Sequence, residues 1–280
     1  MINLKDLTII IPVKIESSDR YFNLKTILGY LNHHFKTNVI IIEVTNDLPK
    51  VDFLGSFKNL KIDYSVQVTP LGESYHRTKY LNEMINKVKT KVVANYDTDV
   101  FFPVETYAKV VKSILDDEVD FVYPYFRGEG QKQLFYSQYQ SADPLEESDR
   151  MGLFLKDFDI SHFDNDPKVQ IYSSAFGHCV FANTKKYKEA FGENEEFIAY
   201  APEDQERAYR FEKLGYRVKW SDSGDYVYHI EHARTPDSWE NNRWFNHNWE
   251  VFNHIKTLSE EELVEYYKGQ DYLKKYKFTK

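Results

Sequence analysis

Lys91-Val92-Val93-Ala94-Asn95-Tyr96-Asp97-Thr98-Asp99 is a short apolar run that ends in two carboxylates one residue apart, followed at once by Val100-Phe101-Phe102-Pro103. A run of this length and composition predicts a buried strand. Strand alternation puts positions i and i+2 on one face, and the turn that follows frees the carboxylate oxygens for a hard divalent cation and a phosphate group. Such a cation suits a nucleotide diphosphate. Asp-x-Asp also occurs on ordinary solvated surfaces, so its meaning depends on the chain around it.

Working outward, strand and helix signals alternate. Leu7 to Val13, Val39 to Val44 and Ile62 to Val66 read as strands, with a helix from Phe22 to Phe35 and another from Tyr75 to Val88, where Tyr80, Leu81, Met84, Ile85 and Val88 recur at helical spacing. This alternation predicts an α/β fold, a Rossmann-like central and mostly parallel sheet flanked by helices. Ligands of open α/β sheets gather outside the carboxyl ends of the strands. Pro12, Val13 and Lys14, then Glu43, then Asp97 and Asp99 are the candidates placed there.

After the strand Phe121 to Tyr125 the regularity breaks, and residues 126–170 read as an insertion of loops and one or two short helices, rich in Asp, Gln and Ser. Periodicity resumes with Phe176 to Phe181, a helix from Thr184 to Phe191, and a helix from Pro202 to Leu214 with Gly215 just past its end. Strands follow at Arg217 to Trp220 and Tyr226 to Ile230. Ser259 and Glu262 form a capping box in a helical tail. The expected organisation is a domain over residues 1–235 and a helical extension over 236–280 packed on it.

Composition narrows the function. With 36 basic against 44 acidic residues the net charge is −8, interleaved along the chain, so no basic stripe serves a nucleic-acid backbone. The single cysteine, Cys179, excludes an intrachain disulfide, and the N-terminal residues lack a signal-peptide pattern, which together point to a cytoplasmic location. No apolar run approaches the roughly 20 residues that span a bilayer. The Lys/Tyr-rich tail from Tyr266 to Lys280 offers a surface for peripheral contact with the inner face of a membrane, or is a plain solvated helix end.

Two further groups carry chemistry. His229-Ile230-Glu231-His232 closes a predicted strand, and its two imidazoles with Asp99 make a set of two nitrogens and one oxygen that suits Mn²⁺ or Mg²⁺; the alternative is a pair of hydrogen-bonded surface histidines. The His-Glu-x-x-His order of a zinc hydrolase is absent. Tyr200-Ala201-Pro202-Glu203-Asp204 places two carboxylates in the first turn of a helix. They either complement the helix dipole or supply a general base. Aromatic residues make up 16% of the chain, and of these Tyr200 and Trp239 are the candidates for stacking on an acceptor sugar.

The order of these groups, from Glu73-Ser74-Tyr75-His76-Arg77-Thr78-Lys79-Tyr80-Leu81-Asn82 through Asp97-Thr98-Asp99, Phe176-Gly177-His178 and Tyr200 to Asp204 to His229-Ile230-Glu231-His232, resembles the β-1,4-galactosyltransferase, or family 2, type of GT-A glycosyltransferase. The resemblance runs from about Leu7 to His232. In that family the segment like Tyr75 to Asn82 reads Phe-Asn-Arg-Ala-Lys-Leu-Leu-Asn and contacts the uridine nucleotide, which implies that role for Tyr75 and Arg77. Asp97 and Asp99 match the family's Asp-x-Asp, the second being the metal ligand. His229 and His232 align with the ligands of a Met-Ile-Arg-His segment. Glu203 and Asp204 match the end of Trp-Gly-Gly-Glu-Asp, which carries the acceptor site and base.

Departures stand beside the matches. Tyr200-Ala201-Pro202 replaces Trp-Gly-Gly, His229 replaces a methionine, and His178 replaces a glycine near the donor sugar, so galactose does not carry over as donor. The polypeptide N-acetylgalactosaminyltransferases place Asn where Asp204 stands, and the carboxylate favours inversion. The resemblance implies a GT-A fold and a Mn²⁺- or Mg²⁺-dependent transfer from a nucleotide-sugar, UDP-linked, to a glycan or lipid-linked glycan acceptor in surface polysaccharide synthesis. Asp99, His229 and His232 would hold the cation, Asp204 would be the base and Glu203 would position the acceptor. Ligation needs neutral imidazole, so metal binding is expected to weaken on acidification through roughly pH 6.5. Two rivals differ in class. A sugar-1-phosphate nucleotidyltransferase would carry a Gly-rich loop after the first strand, where Pro12-Val13-Lys14-Ile15-Glu16 has no glycine; a non-catalytic sugar-binding module would need neither the metal set nor Asp204.

Overall fold

The computed structural model of the chain describes residues 1–135, 158–174 and 176–278. Its framework is a seven-stranded sheet. Strand β1 (Ile2–Val13) lies between β2 (Phe35–Thr45) and β4 (Val92–Tyr96), parallel to both, with Ile9 opposite Val39 on one side and Ala94 on the other. Beyond β2 lies β3 (Leu60–Val68); beyond β4 come β9 (Cys179–Asn183), β6 (Phe121–Phe126) and β10 (Val218–Ser221), giving the order β10-β6-β9-β4-β1-β2-β3. Only β9 runs against its neighbours. Leu7, Ile9, Ile10 and Ile11 are all fully buried, as are Val92, Val93 and Ala94. Helices therefore cover both faces, which is why these strands are continuous apolar runs instead of alternating ones.

The helices between the first strands are α1 (Ser18–His34) and α2 (Arg77–Lys87). Helix α1 begins four residues before its apolar face does, because the Ser17 hydroxyl accepts a hydrogen bond from the Arg20 amide and caps it. Helix α3 (Val104–Leu115) follows the carboxylate turn, α4 (Thr184–Glu189) follows β9, and α5 (Glu203–Lys213) precedes β10, with Pro202 just outside it.

A second, four-stranded sheet stands at the carboxyl ends of the first. It runs β5 (Val100–Phe101), β11 (Val227–Ile230), β7 (Gln131–Leu134), β8 (Gln170–Tyr172). This corrects in part the reading of residues 126–170 as loops and short helices: Phe126 completes β6 and Gln131–Leu134 is a strand, while Ser161–Phe163 is a 3₁₀ turn; residues 136–157, on which much of that reading falls, lie outside the described residues. Gln-Lys-Gln-Leu has little intrinsic strand preference. Its extended form comes from pairing on both sides, with β11 and β8.

Helices α6 (Phe245–Thr257), α7 (Glu260–Lys268) and α8 (Asp271–Tyr276) end the chain. The Ser259 hydroxyl accepts from the Glu262 amide while the Glu262 carboxylate accepts from the Ser259 amide, the reciprocal cap expected from the sequence. Tyr267, Tyr272, Tyr276 and Phe278 are buried in the core, so the aromatic residues of the tail are taken up by packing. Tyr272 donates to the Phe191 carbonyl, and Asn194 donates to the Tyr266 hydroxyl.

Two ion pairs lie underneath α5. Arg207 donates to both oxygens of Glu193 at 3.1 and 3.2 Å, and Arg210 donates to Glu206 at 2.8 Å and to the Gly192 carbonyl at 2.9 Å. Tyr187 donates to Glu193 and Tyr267 to Glu206. All four charged side chains are essentially fully buried. Replacing Arg207 by Leu leaves Glu193 buried without its countercharge, and stability is expected to fall by about 3–5 kcal/mol. Urea denaturation of the single variant and of the Arg207→Leu, Glu193→Leu pair measures this, with the pair recovering most of the loss.

Candidate active site

A cavity of about 240 Å³ opens where the two sheets meet, outside the carboxyl ends of β1 and β4. Pro12, Val13 and Lys14 enter it from the end of β1, Tyr75 and Arg77 from the start of α2, and Asp97, Thr98 and Asp99 from the turn after β4. Gly177 and His178 come from the approach to β9, Tyr200, Glu203 and Asp204 from the start of α5, and His229 and His232 from the end of β11. Every site residue expected from the sequence lines it except Glu43 and Trp239. The Glu43 carboxylate is fully buried and accepts from the Lys50 and Val51 amides and the Tyr64 hydroxyl, so it holds the chain that leaves β2. Trp239 is 47% exposed and not among the lining residues; the Arg234 guanidinium lies 4.8 Å from its ring centre.

Sheet register assembles the metal set. Strands β5 and β11 pair antiparallel with Val100 opposite His229, and the Ile230 amide donates to the Asp99 carbonyl at 2.8 Å, so the residue before β5 meets the residues that end β11. Asp99 Oδ1 lies 3.8 Å from His229 Nε2, Asp99 Oδ2 lies 3.2 Å from His232 Nε2, and the potential ligand atoms all fall within 4.8 Å of one another. Each imidazole directs its other nitrogen at an oxygen. His229 Nδ1 is 2.8 Å from Gln133 Oε1, and His232 Nδ1 is 2.9 Å from the Ala233 carbonyl. The Ala233 carbonyl can only accept, so His232 carries its proton on Nδ1; with the Gln133 oxygen turned to it, His229 does the same, and each ring then points an Nε2 lone pair toward Asp99. This donor set, one carboxylate and two imidazoles, fits a first-row divalent ion.

Burial, reinforced by the nearby His232, Arg234 and Arg20, pushes the His229 pKa down to about 3. Burial likewise brings His178 down to about 4, against the opposing pull of Asp97 and Asp99. His229 therefore stays neutral far below the pH 6.5 expected from an unperturbed imidazole.

The two carboxylates of the Asp-x-Asp separate in role. Asp97 Oδ1 accepts from Arg77 at 2.6 Å, and the same guanidinium reaches Asn95 at 3.1 Å. Asp99 alone faces the histidines. The Tyr75 ring stacks on Tyr80 with centres 5.8 Å apart, and its backbone amide donates to Asp237 at 2.8 Å.

On the other wall stand Glu203 and Asp204. Asp204 Oδ1 accepts from the Gln205 amide at 2.7 Å, so the first turn of α5 orients it. A Cβ at Gly177 would fall 2.8 Å from Asp204 Oδ2, which explains the glycine before His178. One Glu203 oxygen is buried with no hydrogen-bond partner. Burial first, then the neighbouring Asp204, raises the Glu203 pKa to about 8, while burial raises Asp204 against the pull of Arg207. Both carboxyls are thus pushed toward the protonated form, Glu203 further because Asp204 stands beside it.

Tyr200, 37% exposed, sits on a constrained loop. Ala199 and Ala201 have φ of 61° and 54°, the left-handed region that costs an alanine roughly 1–2 kcal/mol each. Asn248, fully buried on α6, donates to the Ile198 and Ala201 carbonyls at 2.8 and 2.9 Å and holds the loop in place. Arg20, Arg234 and Asp237 also line the cavity, and Gln131 and Gln133 stand behind the histidines. The sequence reading missed all five. Arg234 lies two residues past His232, a proximity that could have flagged it; the glutamines, in a polar stretch without periodicity, gave no signal.

No protein-family model and no curated protein matches the chain. Solved structures do. Residues 1–349 of S. aureus TarS in complex with UDP-GlcNAc superpose with a TM-score of 0.54 at 13% identity over 93% of this chain and 70% of that one. A longer TarS chain gives 0.53 at 14% identity, over 93% of this chain and 42% of that one. The mannosyltransferase PcManGT from Pyrobaculum calidifontis, in complex with GDP-Man and Mn²⁺, gives 0.50 at 14% identity, over 92% of this chain and 62% of that one. The chain has the GT-A fold of these glycosyltransferases.

The Glu203 assignment predicts a linkage effect. A carboxyl whose folded pKa is raised from 4.5 to about 8 imposes no penalty below pH 4.5 and an increasing one as pH rises to 8. Glu203→Gln is expected to raise the melting temperature at pH 8.5 and to leave it unchanged near pH 4.5. Scanning calorimetry of both proteins at the two pH values checks it.

Proposed function

We propose that this protein is a divalent-metal-dependent glycosyltransferase that moves a sugar from a UDP-sugar to a hydroxyl of a glycan or lipid-linked glycan acceptor, with inversion at the anomeric carbon. The observation that carries the reading is the convergence, in one cleft at the strand ends, of the Asp99, His229 and His232 set with the Glu203–Asp204 pair. A phosphate-binding metal site and a pair of adjacent carboxyls serve transfer from a nucleotide diphosphate to a hydroxyl. Neither rival class needs both.

Asp99, His229 and His232 would hold the cation. A divalent ion bound there supplies positive charge to the diphosphate leaving group. Arg77, fixed by Asp97 and Asn95, lines the same cavity beside Tyr75 and would hold the nucleotide. Asp204, ionised and oriented by the Gln205 amide, takes the proton of the acceptor hydroxyl as its oxygen bonds the anomeric carbon and the bond from that carbon to the phosphate oxygen breaks. Protonated Glu203 donates a hydrogen bond to the acceptor and so positions it. Tyr200, at the exposed lip of the cavity, offers a ring for an acceptor sugar to stack on. Among the described residues no helix is long and apolar enough to cross a membrane.

Two variants test the division of labour. Asp204→Asn is expected to lower turnover by roughly 10²- to 10⁴-fold while UDP-sugar affinity stays nearly constant, because the base meets the acceptor and not the nucleotide. Asp99→Ala is expected to abolish Mn²⁺-dependent UDP binding with the fold intact. Product analysis with a panel of UDP-sugars, together with calorimetric titration of UDP with and without Mn²⁺, measures both. Turnover within a few-fold of the parent in Asp204→Asn would remove it from the mechanism.

A further inference from the structure

We propose that Gln133 is a positioning residue for the metal site: it sets the ring proton of His229 through a row of side-chain hydrogen bonds, His229–Gln133–Gln131–His178, laid along β7. The inference rests on the metal reading above. Strands β7 and β11 pair in parallel with Gln133 opposite His229. Alternation along β7 sends Gln131 and Gln133 to the cavity side, while Lys132 between them turns the other way to Asp164, at 2.7 Å.

The row is continuous. His178 Nε2 lies 2.9 Å from Gln131 Oε1, Gln131 Nε2 donates to Gln133 Oε1 at 2.8 Å, and His229 Nδ1 lies 2.8 Å from the same oxygen. An amide oxygen only accepts, and it has two lone pairs. Gln133 Oε1 therefore takes one proton from Gln131 and one from His229 Nδ1, which leaves the lone pair of His229 on Nε2, the nitrogen 3.8 Å from Asp99. Reversing both amides makes an equally continuous row of opposite polarity. In that row Gln133 donates to Nδ1, the His229 proton moves to Nε2, and the nitrogen facing Asp99 cannot ligate. The polarity of the two amides thus decides whether the site accepts a cation, and Gln131 links that choice to His178, whose ring centre is 5.5 Å from that of His229.

Long-range ¹⁵N–¹H NMR of the metal-free, full-length chain at pH 8 reads the tautomer, and calorimetric titration with MnCl₂ reads the affinity. The parent is expected to show His229 as the Nδ1–H form. Gln133→Leu, which removes the acceptor, should lose that form and bind Mn²⁺ about 10–100-fold more weakly. Gln133→Glu, which keeps an acceptor oxygen, should stay within a few-fold of the parent, and Gln131→Leu should keep the tautomer and lose less affinity than Gln133→Leu. A parent His229 in the Nε2–H form overturns the proposal whether or not any variant folds, and so does a folded Gln133→Leu with the parent's tautomer and affinity. A parent with the Nδ1–H form and no Mn²⁺ binding overturns the metal reading while upholding the tautomer assignment.

Discussion

The buried pairing of Arg207 with Glu193 and of Arg210 with Glu206 fixes helix α5, and the acidic half of the cleft depends on where that helix begins. Taking four charges out of water is costly, and the mutual attraction offsets that cost only as far as the lone pairs and protons find partners. Here Tyr187, Tyr267 and the carbonyls of Ala190 and Gly192 provide partners, while Arg207 Nε stays buried without one. The arginines sit on the side of α5 that packs against the segment after α4 and against α7. With the helix held this way, its first turn delivers Glu203 and Asp204 to the cavity. Asp204 is further confined by the missing side chain at Gly177, and the loop before the helix is clamped by Asn248. Two adjacent buried carboxyls need this rigidity, because their pKa values follow from burial and from the charges beside them.

The metal half is built by other means. No single segment contains it: Asp99 precedes β5, and the histidines end β11, 130 residues later in the chain. Antiparallel register between a two-residue strand and a four-residue strand brings them together. A slip of one residue would send His229 to the opposite face. The flanking strand β7 both pins the register and supplies Gln133. Arg77 pairs with Asp97, leaving Asp99 as the carboxylate that faces the histidines.

Much of this was legible in the sequence because it is written in local patterns. The central strands of the large sheet are unbroken apolar runs, Ser259 and Glu262 mark a helix start, and Asp-x-Asp, Tyr-Ala-Pro-Glu-Asp and His-Ile-Glu-His each stand at a boundary of a predicted element. What could not be read depends on contacts between distant segments. Glu43 looks like a ligand residue at a strand end, yet the amides of Lys50 and Val51 claim its carboxylate. Gln131 and Gln133 look like surface polar residues until β11 and β8 make a strand of them. The pKa of His229 follows from burial under that same sheet, which no composition count reveals. The Lys/Tyr-rich tail offered a membrane contact or a solvated helix end, and what its sequence did not reveal is that Tyr267, Tyr272, Tyr276 and Phe278 pack into the core.

Anomalous diffraction at the manganese edge, from crystals grown with UDP and MnCl₂, locates the cation. One strong peak is expected, bonded to an oxygen of Asp99 and to Nε2 of His229 and His232, with the diphosphate on the same ion and Asp204 free of it. A peak bonded to other residues, or UDP held in the cavity with no manganese beside Asp99, would contradict the assignment of these three residues as its ligands.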